Sequence, residues 1–173
     1  MTAPIPLAIP ETHLRALTVI CERLPLSTCN WALTGSLGHR LQGVDVPVHD
    51  IDVQTDTDGA ATVARALAEY VVEAPQLWES ELMSSVFGRL TIDDILVEVM
   101  GGIRKRAAAG DAWGEATDPA RHRVIVGYAD LAVPVLSLEY EAAAYEALSR
   151  HDRALLLRRA NGAHDVGSAP DRH

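Results

Sequence analysis

The order of apolar and polar residues divides this chain into short strands and amphipathic helices. Leu14, Leu17, Cys21 and Leu24 recur at three- and four-residue spacing, which predicts a helix from Pro10 to Arg23, stopped by Pro25. Asn30 to Thr34 is a short apolar strand, and Gly35-Ser36 opens a helix of one or two turns through Leu41. Residues 43–47 form a loop, and Val48 to Gln54 reads as a second strand. Thr57 or Asp58 caps a helix from Gly59 to Glu69, with Val63, Leu67 and Tyr70 facing inward. A strand over Tyr70 to Ala74 follows, then a loop or helical turn through Met83.

Val86 to Ile92 and Ile95 to Met100 are apolar runs joined by Asp93-Asp94, the signature of a tight hairpin. Residues 101–119 are small and polar and read as a loop, and Arg123 to Val126 as an edge strand. Ser137 caps a helix through Leu148, with Leu138, Ala142, Tyr145 and Leu148 inward, and Arg150 to Ala160 gives a last helix. Residues 161–173 read as a disordered tail. Early alternation of strand and helix followed by a hairpin predicts a single α/β (α+β) domain over residues 1–160, with a mixed sheet of about five strands flanked by helices.

The composition narrows the class of partner. At 173 residues the chain suits one domain, and 48% apolar residues argue against disorder. A net charge of −9 argues against nucleic acid as a partner, since duplex binding needs a clustered basic footprint. No apolar run is long enough to span a bilayer, and the first residues lack the charged start and continuous hydrophobic stretch of a signal peptide. The expected location is cytoplasmic. Cys21 and Cys29 lack zinc-site spacing, and Cys21 lies on a helical stripe that predicts a buried, reduced thiol.

Chemistry concentrates between Trp31 and Asp56. Asp50 and Asp52 stand two apart on a strand, so they share a face with α-carbons about 6.5–7 Å apart. They repel each other, and a bound divalent cation relieves that conflict. Glu98, in the run ILVEVMG, shares a strand face with Leu96 and Met100. If its strand neighbours that of Asp50, three carboxylates meet, a donor set suited to Mg²⁺. Two such ions, about 3.5–4 Å apart, can orient an attacking hydroxyl and stabilise a departing pyrophosphate. Gly35 lets backbone approach a phosphate, and the N–H groups at the Ser36 helix start point at an anion, although Ser36 is also an ordinary N-cap. Arg40, one turn into that helix, is within reach of phosphate.

Rival motifs fail. QTDTDG imitates an EF-hand loop but has Gln54 and Arg65 where acids are needed, and GSLGHRLQG lacks the Gly-Lys-Ser/Thr of a P-loop and the Gly-x-Gly of a dinucleotide site. His49 alternates to the face opposite Asp50. His39 reads as structural, and Arg104-Lys105-Arg106 as a solvated loop just after the Glu98 strand. Ser84, Ser85 and Arg89 carry no assignment above packing and solvation. No Gly-x-Ser-x-Gly turn supports a serine hydrolase.

Gly35-Ser36, then Asp50-x-Asp52, then a third acid at Glu98 resembles the nucleotidyltransferase superfamily related to DNA polymerase beta. The layout over roughly residues 28–150 is similar to small antibiotic-type members, such as lincosamide nucleotidyltransferases, and to abortive-infection-type proteins of this fold. The resemblance implies transfer of a nucleoside monophosphate from an NTP to a hydroxyl of a small-molecule or protein acceptor, with release of pyrophosphate. It implies that Asp50 and Asp52 hold two Mg²⁺ ions, and that Glu98 is a further ligand or the base. Gly35 and Ser36 would bind the β- and γ-phosphates. Few residues follow the last strand, so the acceptor pocket is expected either to be assembled by a homodimer or to be absent. In the latter case the fold acts as a non-catalytic nucleotide-binding or toxin–antitoxin-type interaction module.

Overall fold

The computed structural model describes residues 4–166. Its centre is one mixed sheet built from β1 (Trp31–Thr34), β2 (Ile51–Thr55), β3 (Val71–Glu79), β4 (Met83–Ile92), β5 (Ile95–Lys105), β6 (Arg123–Tyr128) and β7 (Leu131–Leu136). The strands lie in the order β3-β4-β5-β2-β1-β7-β6. β2 runs parallel to β5, and β1 parallel to β7; the other neighbours are antiparallel. The mixed sheet flanked by helices is as expected, but it has seven strands rather than five.

Alternation along the central strands sorts the two faces. Leu33, Ile51, Val53, Val97 and Val99 are buried against α1 (Glu11–Arg23) and α3 (Gly59–Ala66), where Leu17, Ile20 and Val63 complete the core. Burial of these aliphatic side chains, each worth about 1.5–3 kcal/mol, dominates stability. Trp31 caps that core and donates its indole N–H to the Leu24 carbonyl at 2.7 Å. Cys21 and Cys29 are free thiols, and burial pushes them up to about 12 and about 11, so both stay protonated. The opposite face carries Asp52, Gln54, Glu98 and Met100. A second apolar cluster, Val44, Val46, Leu138, Ala142 and Leu157, seats α4 (Leu138–Ala147) and α5 (His151–Val166).

Several elements depart from expectation for local reasons. β3 runs to Glu79, and its register shifts on either side of Glu73, close to Pro75. As an edge strand it needs no amide on its free side, so proline is tolerated. β5 continues through the two glycines to Lys105, because Gly101 and Gly102 let the chain between β2 and α3 pack within van der Waals range. β7 was not foreseen: LAVPVL carries Pro134, and its pairing with β1 is short, at Leu33 against Val135. Asp93-Asp94 and Ala129-Asp130 both have positive φ, the geometry of tight hairpin turns. α3 ends at Ala66, three residues early, and a 3₁₀ turn covers Ala68–Tyr70. α5 runs to Val166, into the span read as disordered; residues 167–173 of that span lie outside the described residues.

Candidate active site

β1 ends at Thr34, and the chain turns through Gly35, whose φ of +69° lies in the left-handed region. A Cβ at this position would collide with the Asp52 carboxylate, so only glycine lets the turn come so close. The first turn of α2 (Gly35–Leu41) then gathers the chain before β2. The Ser36 hydroxyl accepts the backbone N–H of His49 at 3.1 Å, and the His49 carbonyl accepts from His13 Nε2 at 2.6 Å. Asp50 follows at an exposed bend beside this knot, and Asp52 is the second residue of β2.

Register fixes the neighbours of Asp52. Thr34 on β1 stands opposite on one side and Glu98 on β5 on the other, so Glu98 shares its sheet face. Glu98 is itself held: Arg89, opposite on β4, donates from Nε to its Oε1 at 3.1 Å and from its terminal nitrogen to Glu73 at 2.9 Å. The Arg89 guanidinium also lies 4.9 Å from the Phe87 ring centre. Asp52 has no such relief. Burial first, then the charges of Glu98, Asp50 and Glu141, all act upward and push it to about 7.

That imbalance is the test of fit for a metal. Hard oxygen donors crowded until one of them resists ionisation are the donor set that a divalent cation satisfies. Among the described residues, no three His, Cys, Asp or Glu side chains are close enough to hold an ion by themselves. Asp52 and Glu98, side by side on the sheet, supply hard oxygen donors of the kind a divalent cation takes, and no third acid among the described residues is close enough to complete the set.

Glu141 comes from above the sheet. Ser137 caps α4 by accepting the Tyr140 N–H at 3.2 Å, which brings Glu141 onto the inner face of the helix. Its Oε1 accepts the Thr34 hydroxyl, and its Oε2 accepts from His39 Nε2 at 2.8 Å. Arg153 on α5 donates to His39 Nδ1 at 3.1 Å, which leaves the ring proton on Nε2. This chain, with His39 and Glu141 buried and Thr34 and Arg153 partly so, ties β1, α2, α4 and α5 together. Between α4 and the sheet lies a cavity of about 260 Å³, with Asp52 and Gln54 in its floor and Tyr140, Glu141 and Tyr145 in its roof.

Of the residues singled out from the sequence, Asp52 lies against the Gly35 turn and beside Glu98 on the sheet, whereas Asp50, read as a strand residue, sits at an exposed bend just before β2. Arg40 is turned elsewhere: it donates to the Ala8 carbonyl at 2.6 Å, to Asp45 at 2.9 Å and to the Val46 carbonyl at 3.2 Å, pinning the N-terminal segment to the loop after α2. In the basic run, Arg106 stacks on Trp113 with 4.1 Å to the ring centre, whereas Lys105 borders the cavity. Glu141 and Arg89 were missed. Glu141 was readable, because Leu138, Glu141, Ala142 and Tyr145 form one i, i+3, i+4, i+7 stripe with a carboxylate in it. Arg89 was not, since its role depends on β4–β5 register.

A mixed sheet with a glycine turn after its first strand and acids in register on the next two places the molecule in the nucleotidyltransferase class. The sequence matches the profile of the aminoglycoside-2''-adenylyltransferase family over residues 16–156, and the chain belongs to that family and is a nucleotidyltransferase enzyme. A Thermotoga maritima protein of known crystal structure, provisionally described as a nucleotidyltransferase, is 42% identical, with a TM-score of 0.78 over 90% of this chain and 96% of that one. The structure of ANT(2'')-Ia in complex with adenylyl-2''-tobramycin aligns over 91% of this chain and 99% of that one, at 13% identity and a TM-score of 0.47, too low to carry an argument. No curated protein matches the chain. Among the described residues, no helix is long and apolar enough to cross a membrane.

Proposed function

We propose that the enzyme transfers a nucleoside monophosphate from an NTP to a hydroxyl of a small-molecule acceptor, releasing pyrophosphate, with Mg²⁺ held by Asp50, Asp52 and Glu98. The observation that supports this most is the register of Asp52 beside Glu98, with Asp50 in the bend just before that strand and the Gly35 turn against the Asp52 carboxylate. Bound Mg²⁺ would neutralise charge developing on the departing pyrophosphate. The protein's own part is positioning: Gly35 and the amides that follow it would receive the β- and γ-phosphates, and Asp50 and Asp52 would hold the ion that draws in the α-phosphate. Glu98, oriented by Arg89, stands where a base or a metal ligand is needed. The cavity roofed by α4 lies beside Asp52, where an acceptor would be received.

Pyrophosphate release with Mg²⁺ and each NTP, in wild type and Asp52→Asn, tests the reading. Release above background in the wild type and its loss in the variant are expected; turnover retained in Asp52→Asn would remove the assignment. The alternative, a non-catalytic nucleotide-binding or interaction module, draws on the Arg89–Glu98 pair, which occupies one of the three acids. Nucleotide binding without release across a broad acceptor panel would favour it.

A further inference from the structure

Glu141 reaches from α4 to both flanks of the Gly35-Ser36 turn. Thr34, the last residue of β1, stands opposite Asp52 in the strand register and donates its hydroxyl to Oε1 of Glu141. His39, further along α2, donates from Nε2 to Oε2 at 2.8 Å. One carboxylate therefore grips the residue before the turn and a residue after it.

The Thr34 side chain is committed to this tie. Thr34 is the N-cap of α2, a position where a threonine hydroxyl ordinarily accepts an amide of the first turn. It makes no such cap and donates to Glu141 instead. Glu141 is 4% exposed and His39 0%, so water does not readily replace the lost partners. Arg153 secures the far side of the ring by donating to His39 Nδ1 at 3.1 Å.

Placement matters here because the fit is tight. A Cβ on Gly35 would collide with the Asp52 carboxylate, so any shift of the turn alters its contact with Asp52 directly. Ser36 is tied to His49 within the unit of β1, α2 and β2, whereas Glu141 fixes the turn from outside that unit.

We propose that Glu141 is a positioning residue for the transfer reaction: by accepting from Thr34 and His39 it holds the Gly35-Ser36 turn in place against Asp52. It acts through these hydrogen bonds, and not as a metal ligand or a base, although its carboxylate faces the same cavity as Asp52. This rests on the transferase reading given above, in which that turn receives the phosphates. Glutamine separates the two roles. Its carbonyl accepts from His39 and its amide donates to the Thr34 oxygen, since a hydroxyl both gives and takes. The clamp survives in Glu141→Gln, whereas ligation and base catalysis do not.

The test combines amide hydrogen exchange of the full chain without ligand and calorimetric titration with Mg²⁺ plus a non-hydrolysable ATP analogue. In Glu141→Ala, exchange over residues 35–41 is expected to quicken about thirtyfold relative to the β4–β5 hairpin, with a similar loss of nucleotide affinity, the scale of hydrogen bonds to a charged group. Glu141→Gln is expected to stay within about threefold of wild type in both. Should Glu141→Ala fail to fold by circular dichroism, Thr34→Val, which removes a hydroxyl that caps nothing, is expected to show both changes at about tenfold. Unchanged exchange over residues 35–41, or faster exchange with full nucleotide affinity, overturns the proposal. Glutamine as damaging as alanine also overturns it, because the charge and not the clamp would then be what counts. Failure of the wild type to bind the nucleotide, with the exchange pattern as expected, would count against transfer and uphold the clamp.

Discussion

At the scale of single residues, Asp52 carries the strongest consequence. In the unfolded chain it ionises near pH 4, whereas in the fold it ionises only near 7. The folded state binds the extra proton across that window, so Asp52 lowers stability progressively as pH rises from 4 to 7, and its full cost is present above 7. Asp52→Asn removes this cost. In thermal melts without metal, the variant should exceed wild type by roughly 2–4 kcal/mol at pH 8, with the gap closing towards pH 4. Equal melting behaviour at pH 8 would mean that Asp52 is not crowded. Gly35→Ala acts in the opposite sense. It places a side chain in the left-handed region and against the Asp52 carboxylate, so it should cost about 1–2 kcal/mol and abolish turnover. These two positions were legible before any coordinates, because a Gly-Ser turn followed by Asp-x-Asp has few other uses. Arg40 shows the limit of that reading: its place on α2 suggested phosphate, but its guanidinium is spent on Ala8, Asp45 and Val46.

At the scale of elements, the hairpins and the helical pair decide whether the acids meet. Both central residues of the β4–β5 turn, Asp93 and Asp94, have positive φ, at 49° and 63°. Glycine at the second position suits that geometry better, so Asp94→Gly should gain roughly 0.5–1 kcal/mol in chemical denaturation and leave turnover unchanged. A loss of stability would mean that the turn has another form. The chain from Arg153 through the buried His39 to the buried Glu141 clamps α4 and α5 onto β1 and α2. His39→Ala leaves Glu141 and Arg153 short of a partner and should cost about 3 kcal/mol. Periodicity revealed α1, α2, α4 and the β4–β5 hairpin, since each has a strong local pattern. It missed β7, where Pro134 weakens the strand signal, and shortened β3 and β5, whose ends depend on partners distant in sequence. The carboxylate of Glu141 lay within a stripe already read as inward, yet its partners, Thr34 and His39, come from two other elements.

At the scale of the whole molecule, the parallel pairing of β2 with β5 is what makes an enzyme of separate motifs. It carries Glu98, 46 residues on from Asp52 in sequence, into direct register with it, and no local pattern specifies that pairing. The same sheet turns a polar face to α4, with a cavity between them. Binding of Mg²⁺ with an NTP should therefore stabilise the fold as a unit and relieve the crowding of Asp52. The most direct measurement is a crystal structure with Mn²⁺ and a non-hydrolysable NTP, read by anomalous scattering. The account predicts a metal peak shared by Asp50, Asp52, Glu98 and the α-phosphate, with the β- and γ-phosphates at the Gly35-Ser36 turn. An ordered nucleotide with its metal and phosphates away from Asp52 would contradict it.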